Sequence, residues 1–167
     1  MEKRRKEDAM IKIETILVPT DFSEFSKYAL NYAIAFAQTF KARIILIHIT
    51  PERDIDAIRQ ASVYMQGENF EELVTKRKAE DRKQLDGFIP PELKKGITVE
   101  TIHRVGVPFV EIIKAAREKE VDLIVIATHG KSGLSHILFG SVAEKVVRKA
   151  PCPVLSIRHP EHEFIMP

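Results

Sequence analysis

The residues best placed to do chemistry are Ala127-Thr-His-Gly130 and, after nine further residues, Gly140-Ser141. The apolar run Val121-Asp-Leu-Ile-Val-Ile126 leads into the first group. Ser141-Val-Ala-Glu-Lys-Val-Val-Arg148 follows the second and reads as a helix. A buried strand therefore ends in a glycine-bearing loop, and a helix begins at Gly140-Ser141. Backbone N–H groups and the positive end of a helix converge there, which is the geometry that holds a phosphate. Gly140-Ser141 alone reads as an N-cap, since serine is a leading cap residue. Gly130, ten residues earlier at a strand end, turns the reading toward phosphate.

Other chemistries fit less well. Gly130-Lys131-Ser132 looks like the tail of a Walker A loop, but Val125 occupies the place of that motif's first glycine. No two glycines lie two apart, so the dinucleotide pattern G-x-G-x-x-G is absent. The six histidines show no ligand spacing and Cys152 has no partner cysteine, so no metal site is expected. His48 reads as a hydrogen-bonded core residue, His129 as a solvated loop residue and Cys152 as a small buried side chain. Asp21 is the one carboxylate expected in the crevice, apart from Glu144 on the helix behind it. No nucleophile is paired with a base, so no catalytic residue is assigned.

The elements that must position these groups alternate. Ile11–Val18 reads as a first strand closed by Pro19, and Asp21 or Ser23 caps the helix after it, with Glu24 completing a capping box to Asp21. Ala29, Ala33, Phe36, Ala37 and Phe40 recur at helical spacing in that helix. Arg43–Ile49 is a second strand, apolar nearly throughout as a strand covered on both faces should be. Residues 51–67 carry no clean period and read as a loop or irregular insertion. Glu68–Phe88 reads as an exposed helix stopped by Gly87 and Pro90-Pro91. Ile97–His103 alternates as a third strand. Pro108 opens a helix with Val110, Ile113 and Ala116 on its inner face. Asp122–Ala127 is a fourth strand and Pro153–Ile157 a short fifth. Strands alternating with helices imply a parallel sheet with right-handed crossovers, an α/β fold in one doubly wound domain.

Composition agrees. The 167 residues are 44% hydrophobic and 30% charged, as in an ordinary folded domain. A net charge of +2 is too small to imply nucleic acid or an anionic membrane. No apolar run approaches a membrane span. The cluster Lys3, Arg4, Arg5 and Lys6 is diluted by Glu2, Glu7 and Asp8, so residues 1–10 read as a frayed arm. Residues 11–158 form the domain and 159–167 a tail. A single cysteine makes an internal disulfide impossible, and a reducing cytoplasm is the expected location.

Several of these stretches resemble the universal stress protein family. Ile16-Leu-Val-Pro-Thr-Asp-Phe-Ser23 is similar to its first strand and turn, Leu46-Ile-His-Ile49 to its second strand, and Val105-Gly-Val-Pro108 to its Gly-x-Pro turn. Gly130-Lys-Ser-Gly-Leu-Ser135, Gly140-Ser-Val-Ala-Glu144 and Ala150-Pro-Cys-Pro-Val154 resemble its C-terminal signature, Gly-x2-Gly-x9-Gly-Ser/Thr, with Ala127 in place of the first glycine. The resemblance implies a five-stranded parallel sheet in order 3-2-1-4-5, Rossmann-like and similar to the adenine nucleotide alpha hydrolase group. Strands 1 and 4 then flank the topological switch point, where open α/β sheets bind ligands.

Carried over residue by residue, the resemblance implies that Pro19, Thr20, Asp21 and Ile49 surround adenine and ribose, with Ile126 and Ala127 opposite. Gly130, Gly140, Ser141, Val142 and Ala143 would hold the phosphates through backbone N–H groups, with the Ser141 hydroxyl assisting. The implied ligand is ATP, with Mg²⁺ or Mn²⁺ held through the phosphates. Alanine at 127 is harmful if that backbone needs positive φ or if a methyl touches the ribose, and harmless if the residue merely ends a strand.

The expected function is a nucleotide-binding regulatory protein with little or no hydrolysis. The alternatives are a nucleotide-independent interaction module and a slow ATP-cleaving enzyme of the related ATP-pyrophosphatase group. That group would carry a Ser-Gly-Gly-x-Asp-Ser-like loop where this chain has Pro19-Thr-Asp-Phe-Ser23. The resemblance also implies a homodimer through the fifth strand, whose apolar edge invites pairing; a tail folding back through Phe164, Ile165 and Met166 would cover it instead.

Overall fold

A computed structural model describes residues 11–64, 69–129 and 140–160. The elements run β1 (Thr15–Thr20), α1 (Glu24–Phe40), β2 (Arg43–Pro51), α2 (Glu52–Ser62) and α3 (Phe70–Gly87), then a 3-10 turn at Pro91–Lys94. After it come β3 (Val99–Gly106), α4 (Pro108–Glu118), β4 (Leu123–Ala127), α5 (Ser141–Lys149) and β5 (Val154–Ile157). The five strands are parallel, in the order β3-β2-β1-β4-β5. This is the doubly wound order expected.

Alternation along the central strands sorts the core onto two faces. Ile16 and Val18 pack with Ala29, Leu30 and Ala33 of α1 and Leu85 of α3. Leu17, Ile45 and Ile47 pack on the other face with Ile112, Ala115 and Ala116 of α4 and Val146 of α5. Of the expected inner face of α4, Ala116 is buried as read, but Val110 and Ile113 are only half-buried and Ile112 and Ala115 are buried instead. A second correction concerns α2. No residue of this helix is buried and only Asp54, Ile55, Ile58 and Ser62 are half-buried, so its apolar stripe is thin among the charges and the segment looked irregular.

The first strand continues through Pro19 and Thr20 instead of stopping before them. Backbone direction explains the tolerance. The Thr15 carbonyl accepts from Asp122 N–H at 3.0 Å, so residues 15, 17 and 19 turn their backbone polar groups toward β4. Pairing with β4 runs only through Ile16↔Leu123 and Leu17↔Ile124. Pro19 lies beyond it, where its missing N–H removes no ladder bond. The same divergence opens a crevice between the ends of β1 and β4.

Candidate functional site

The crevice is a cavity of about 530 Å³, and every expected site residue within the described regions lines it: Pro19, Thr20, Asp21, Ile49, Ile126, Ala127, Gly140, Ser141, Val142 and Ala143. Gly130 lies outside the described residues. Two stretches more than a hundred positions apart thus meet because β1 and β4 are neighbours.

On the β1 side the chain turns sharply. Asp21 does not cap α1, as the capping-box reading has it. Its Oδ1 accepts from Ser23 N–H at 3.1 Å and from Ser23 Oγ at 2.5 Å, and Ser23 is the cap, accepting from Ser26 N–H at 3.2 Å. The Asp21 carboxylate is therefore aimed by the helix entrance. Between them Phe22 adopts φ 64°, a left-handed conformation unusual for a bulky residue. Its N–H donates to Thr20 Oγ1 at 3.0 Å, and its ring lies 4.1 Å from that of His48. Ser26 Oγ donates to the Ser23 carbonyl, so the Thr20 hydroxyl donates to Ser26 Oγ at 2.9 Å. The polar groups of Thr20 thus hold the turn, and what it offers a ligand is shape.

On the β4 side Ala127 ends a strand, is 8% exposed and is not among the residues with positive φ. Of the two readings of this departure, the harmless one holds for the backbone. Gly140 caps α5 with φ −65° and no side-chain bond. Its N–H donates to the Thr128 carbonyl at 2.7 Å, which corrects its expected role as a phosphate donor. The first intrahelical bond is Glu144 N–H to the Gly140 carbonyl. The N–H groups of Ser141, Val142 and Ala143 precede it, at the positive end of the helix. Gly140 serves by its size, since a Cβ there would sit 3.1 Å from the Thr128 oxygen.

The walls hold residues that the sequence reading missed. The end of β3 and start of α4 contribute Gly106, Val107, Pro108 and Phe109. Gly106 has φ 154°, and a Cβ there would meet the Glu111 side chain at 2.9 Å. Lys145, one turn beyond Ser141, brings a cation to the lining, its Nζ 5.1 Å from the Phe109 ring centre. The i, i+4 spacing from Ser141 was the available signal. Glu52, Arg53 and Asp54 come from α2, and Arg77 from α3. Asp21 is therefore not the sole carboxylate of the crevice. Glu52 and Asp54 follow β2, however, on the opposite side of β1 from β4 and α5.

Behind the crevice lies a buried polar cluster. The Thr50 hydroxyl donates to Asp81 Oδ2 at 2.6 Å, and Arg77 Nε reaches both Asp81 oxygens at 3.0 Å. Burial works to raise the Asp81 carboxyl, but the Thr50 bond and the Arg77 guanidinium outweigh it and hold Asp81 below the usual carboxylate range. Burial lowers His103 below an ordinary imidazole despite Asp81 beside it. His48 is a buried, hydrogen-bonded core residue as expected, its Nδ1 donating to the Thr20 carbonyl at 2.8 Å.

The match to the universal stress protein family model runs over residues 12–158. The chain belongs to this family. A universal stress protein of Methanocaldococcus jannaschii, MJ0577, is 35% identical over 89% of this chain and 96% of its own length. Its solved structure superposes with a TM-score of 0.76, at 34% identity, covering 89% of this chain and 98% of that one. YxiE of Bacillus subtilis is 34% identical over 86% of this chain and 97% of its own. A structure of the Archaeoglobus fulgidus family member in complex with dAMP shares the fold at 22% identity and a TM-score of 0.54, covering 88% of this chain and 98% of that one. Among the described residues no helix is long and apolar enough to cross a membrane.

Proposed function

We propose that this universal stress protein binds an adenine nucleotide, ATP foremost, and acts through its occupancy as a regulatory protein with little or no hydrolysis. The observation that carries the proposal is the opening of the α5 N-terminus into the cavity formed by the diverging ends of β1 and β4. Ile49, Ile126, Ile112 and Val107 give the cavity apolar walls that suit a base. Ser141, Val142 and Ala143 offer N–H groups to phosphate, with Lys145 adding a cation. A Mg²⁺ or Mn²⁺ ion would be held by the phosphates and water, since Glu52 and Asp54 sit on the far side of β1. Among the described residues, the carboxylates that line the crevice, Asp21, Glu52 and Asp54, come from the β1 and β2 side and not from the α5 side, which supports slow turnover. A dAMP complex in a distant relative of the same fold supports the ligand class.

Calorimetry on nucleotide-free protein tests this reading. ATP with Mg²⁺ should give saturable heat and thermal stabilisation, with turnover far below the ~10 s⁻¹ typical of enzymes. Absence of both heat and stabilisation at millimolar ATP overturns it.

A second copy docked along β5 completes the proposal. Pro153 and Ile157 turn their carbonyls toward β4, so Val154 and Ser156 present their backbone groups at the open edge. Leu155 and Ile157 pack into the core, so lysine at either position would damage the fold before any interface. Ser156→Pro removes one outward N–H and no bond to β4. Light scattering should show a wild-type dimer and a folded Ser156→Pro protein shifted toward monomer. A wild-type monomer at tens of micromolar removes the dimer.

A further inference from the structure

We propose that His48, Asp81 and His103 form a binding site for a divalent transition-metal ion, Zn²⁺ in the first instance, separate from any ion carried by a nucleotide. Sheet register brings the two histidines together: His48 of β2 is the direct partner of His103 of β3. Their rings stack with centroids 5.8 Å apart and planes 7° from parallel. Asp81 comes down from α3, its Oδ2 lying 3.8 Å from His48 Nε2 and 3.7 Å from His103 Nε2. The three donor atoms lie within 4.8 Å of one another. A tetrahedral ion with bonds of roughly 2.0–2.1 Å separates its ligands by about 3.3 Å, so the two Asp81 gaps must close by roughly half an ångström, and the two imidazoles must draw together by up to about 1.5 Å, one ring turning out of parallel so that both lone pairs meet the ion.

The surroundings prepare the donors. A carbonyl can only accept, so the bond to Thr20 puts the His48 proton on Nδ1 and leaves Nε2 as the metal-facing nitrogen, the usual outer-shell arrangement for a ligating histidine. The hydroxyl of Thr50 gives its proton to Asp81, so in the metal-free cluster His103 Nε2–H donates to Thr50 Oγ1 at 2.8 Å. On binding, that proton moves to Nδ1, the ion takes its place, and Thr50 stays behind as donor to Asp81. Burial pushes His103 below an ordinary imidazole, toward the neutral form that a ligand needs. Two imidazoles and one carboxylate suit Zn²⁺, Co²⁺ or Ni²⁺ and are wrong for Mg²⁺ or Ca²⁺. Water takes the fourth position. His103 borders a recess of about 570 Å³ beside Lys78 and Arg82, which is the way in. The positive charge of Arg77, Lys78 and Arg82 opposes an incoming cation, so affinity should be micromolar and not picomolar.

Untagged, chelator-stripped full-length protein titrated with Zn²⁺ against a chromogenic competitor should bind one ion per chain with Kd below about 10 µM. Co²⁺ should give the visible absorption of a tetrahedral site. His103→Asn and Asp81→Asn should each weaken binding at least about tenfold, the low end of what even outer-shell losses cause. His159→Ala should leave it unchanged. In the wild type, where folding of variants is not at issue, Zn²⁺ should shift the ring-nitrogen NMR signals of both His48 and His103 and remove the His103 Nε2 proton. Zn²⁺ that leaves these signals unmoved, or binding that survives both substitutions, overturns the proposal. So does a wild type that takes up less than one ion at saturating Zn²⁺.

Discussion

Replacing Ala127 with glycine restores the residue of the family pattern, and the structure predicts a weaker protein with an unimproved site. Ala127 is the last residue of β4, paired with Ile157, and its methyl lies in the core cluster shared with Val125 and α1. Its backbone is that of a strand, so glycine relieves no strain. Loss of a buried methyl removes about 0.8 kcal/mol. Glycine in a strand adds roughly 0.5–1 kcal/mol through the greater freedom of the unfolded chain. The sum is about 1–2 kcal/mol. Urea unfolding should show the midpoint falling by roughly 0.5–1 M with an unchanged slope, for a slope near 2 kcal/mol/M. Nucleotide affinity, read by calorimetry on the same samples, should stay within about twofold, or 0.4 kcal/mol. A tenfold gain in affinity, about 1.4 kcal/mol, would mean that the methyl crowds the ligand and would refute the reasoning.

Ser141→Ala should leave stability unchanged and weaken ATP by about 1 kcal/mol, roughly fivefold, one hydrogen bond's worth. Gly140→Ala should instead lower the unfolding midpoint, because its Cβ meets the Thr128 oxygen at 3.1 Å while Thr128 is held by Ile157 and Gly140. Unchanged ATP affinity in Ser141→Ala would mean that its hydroxyl does not touch the phosphates, and an unmoved midpoint in Gly140→Ala would mean that the Thr128 oxygen gives way to the new Cβ. Stability should fall as pH drops below about 6.5, because His103 has a folded value lowered from 6.5 and the unfolded chain then binds more protons. Asp81, lowered from 3.8, adds a second loss of the same sign in stronger acid. The stability difference between wild type and His103→Asn should therefore narrow from pH 7 to pH 5; a constant difference would mean that burial does not hold His103 neutral.

Strands and most helices were legible because their burial leaves a pattern. The run Arg43–Ile49 is apolar since β2 is covered on both faces, and α1 shows its alanines at helical spacing because they face the sheet. The second helix left a fainter trace, with only Ile55 and Ile58 as half-buried apolar residues on its inner face, and it carries half of the charged wall of the crevice. The boundaries that moved did so for local reasons. The first strand runs past Pro19 because the proline faces the side where β4 has already turned away. Both glycine-loop and first-turn motifs were readable as a site because each sits at a strand end, and strand order alone brings them together.

The polar cluster behind the crevice was invisible for the opposite reason. His48 and His103 are 55 positions apart and share no motif; only the register of β2 on β3 makes them neighbours, and only the packing of α3 sets Asp81 between them. Their link to the crevice runs through one residue. Thr20 gives its carbonyl to His48, its hydroxyl proton to Ser26 and its oxygen to the amide of Phe22. Left-handed backbone at a phenylalanine costs about 1–2 kcal/mol, and the Thr20 bond together with the His48 and Phe88 rings offsets it. That strain is what turns Asp21 into the crevice. The residue that shapes the crevice wall is thus the same one that orients His48, so a change on either side of Thr20 should be felt on the other.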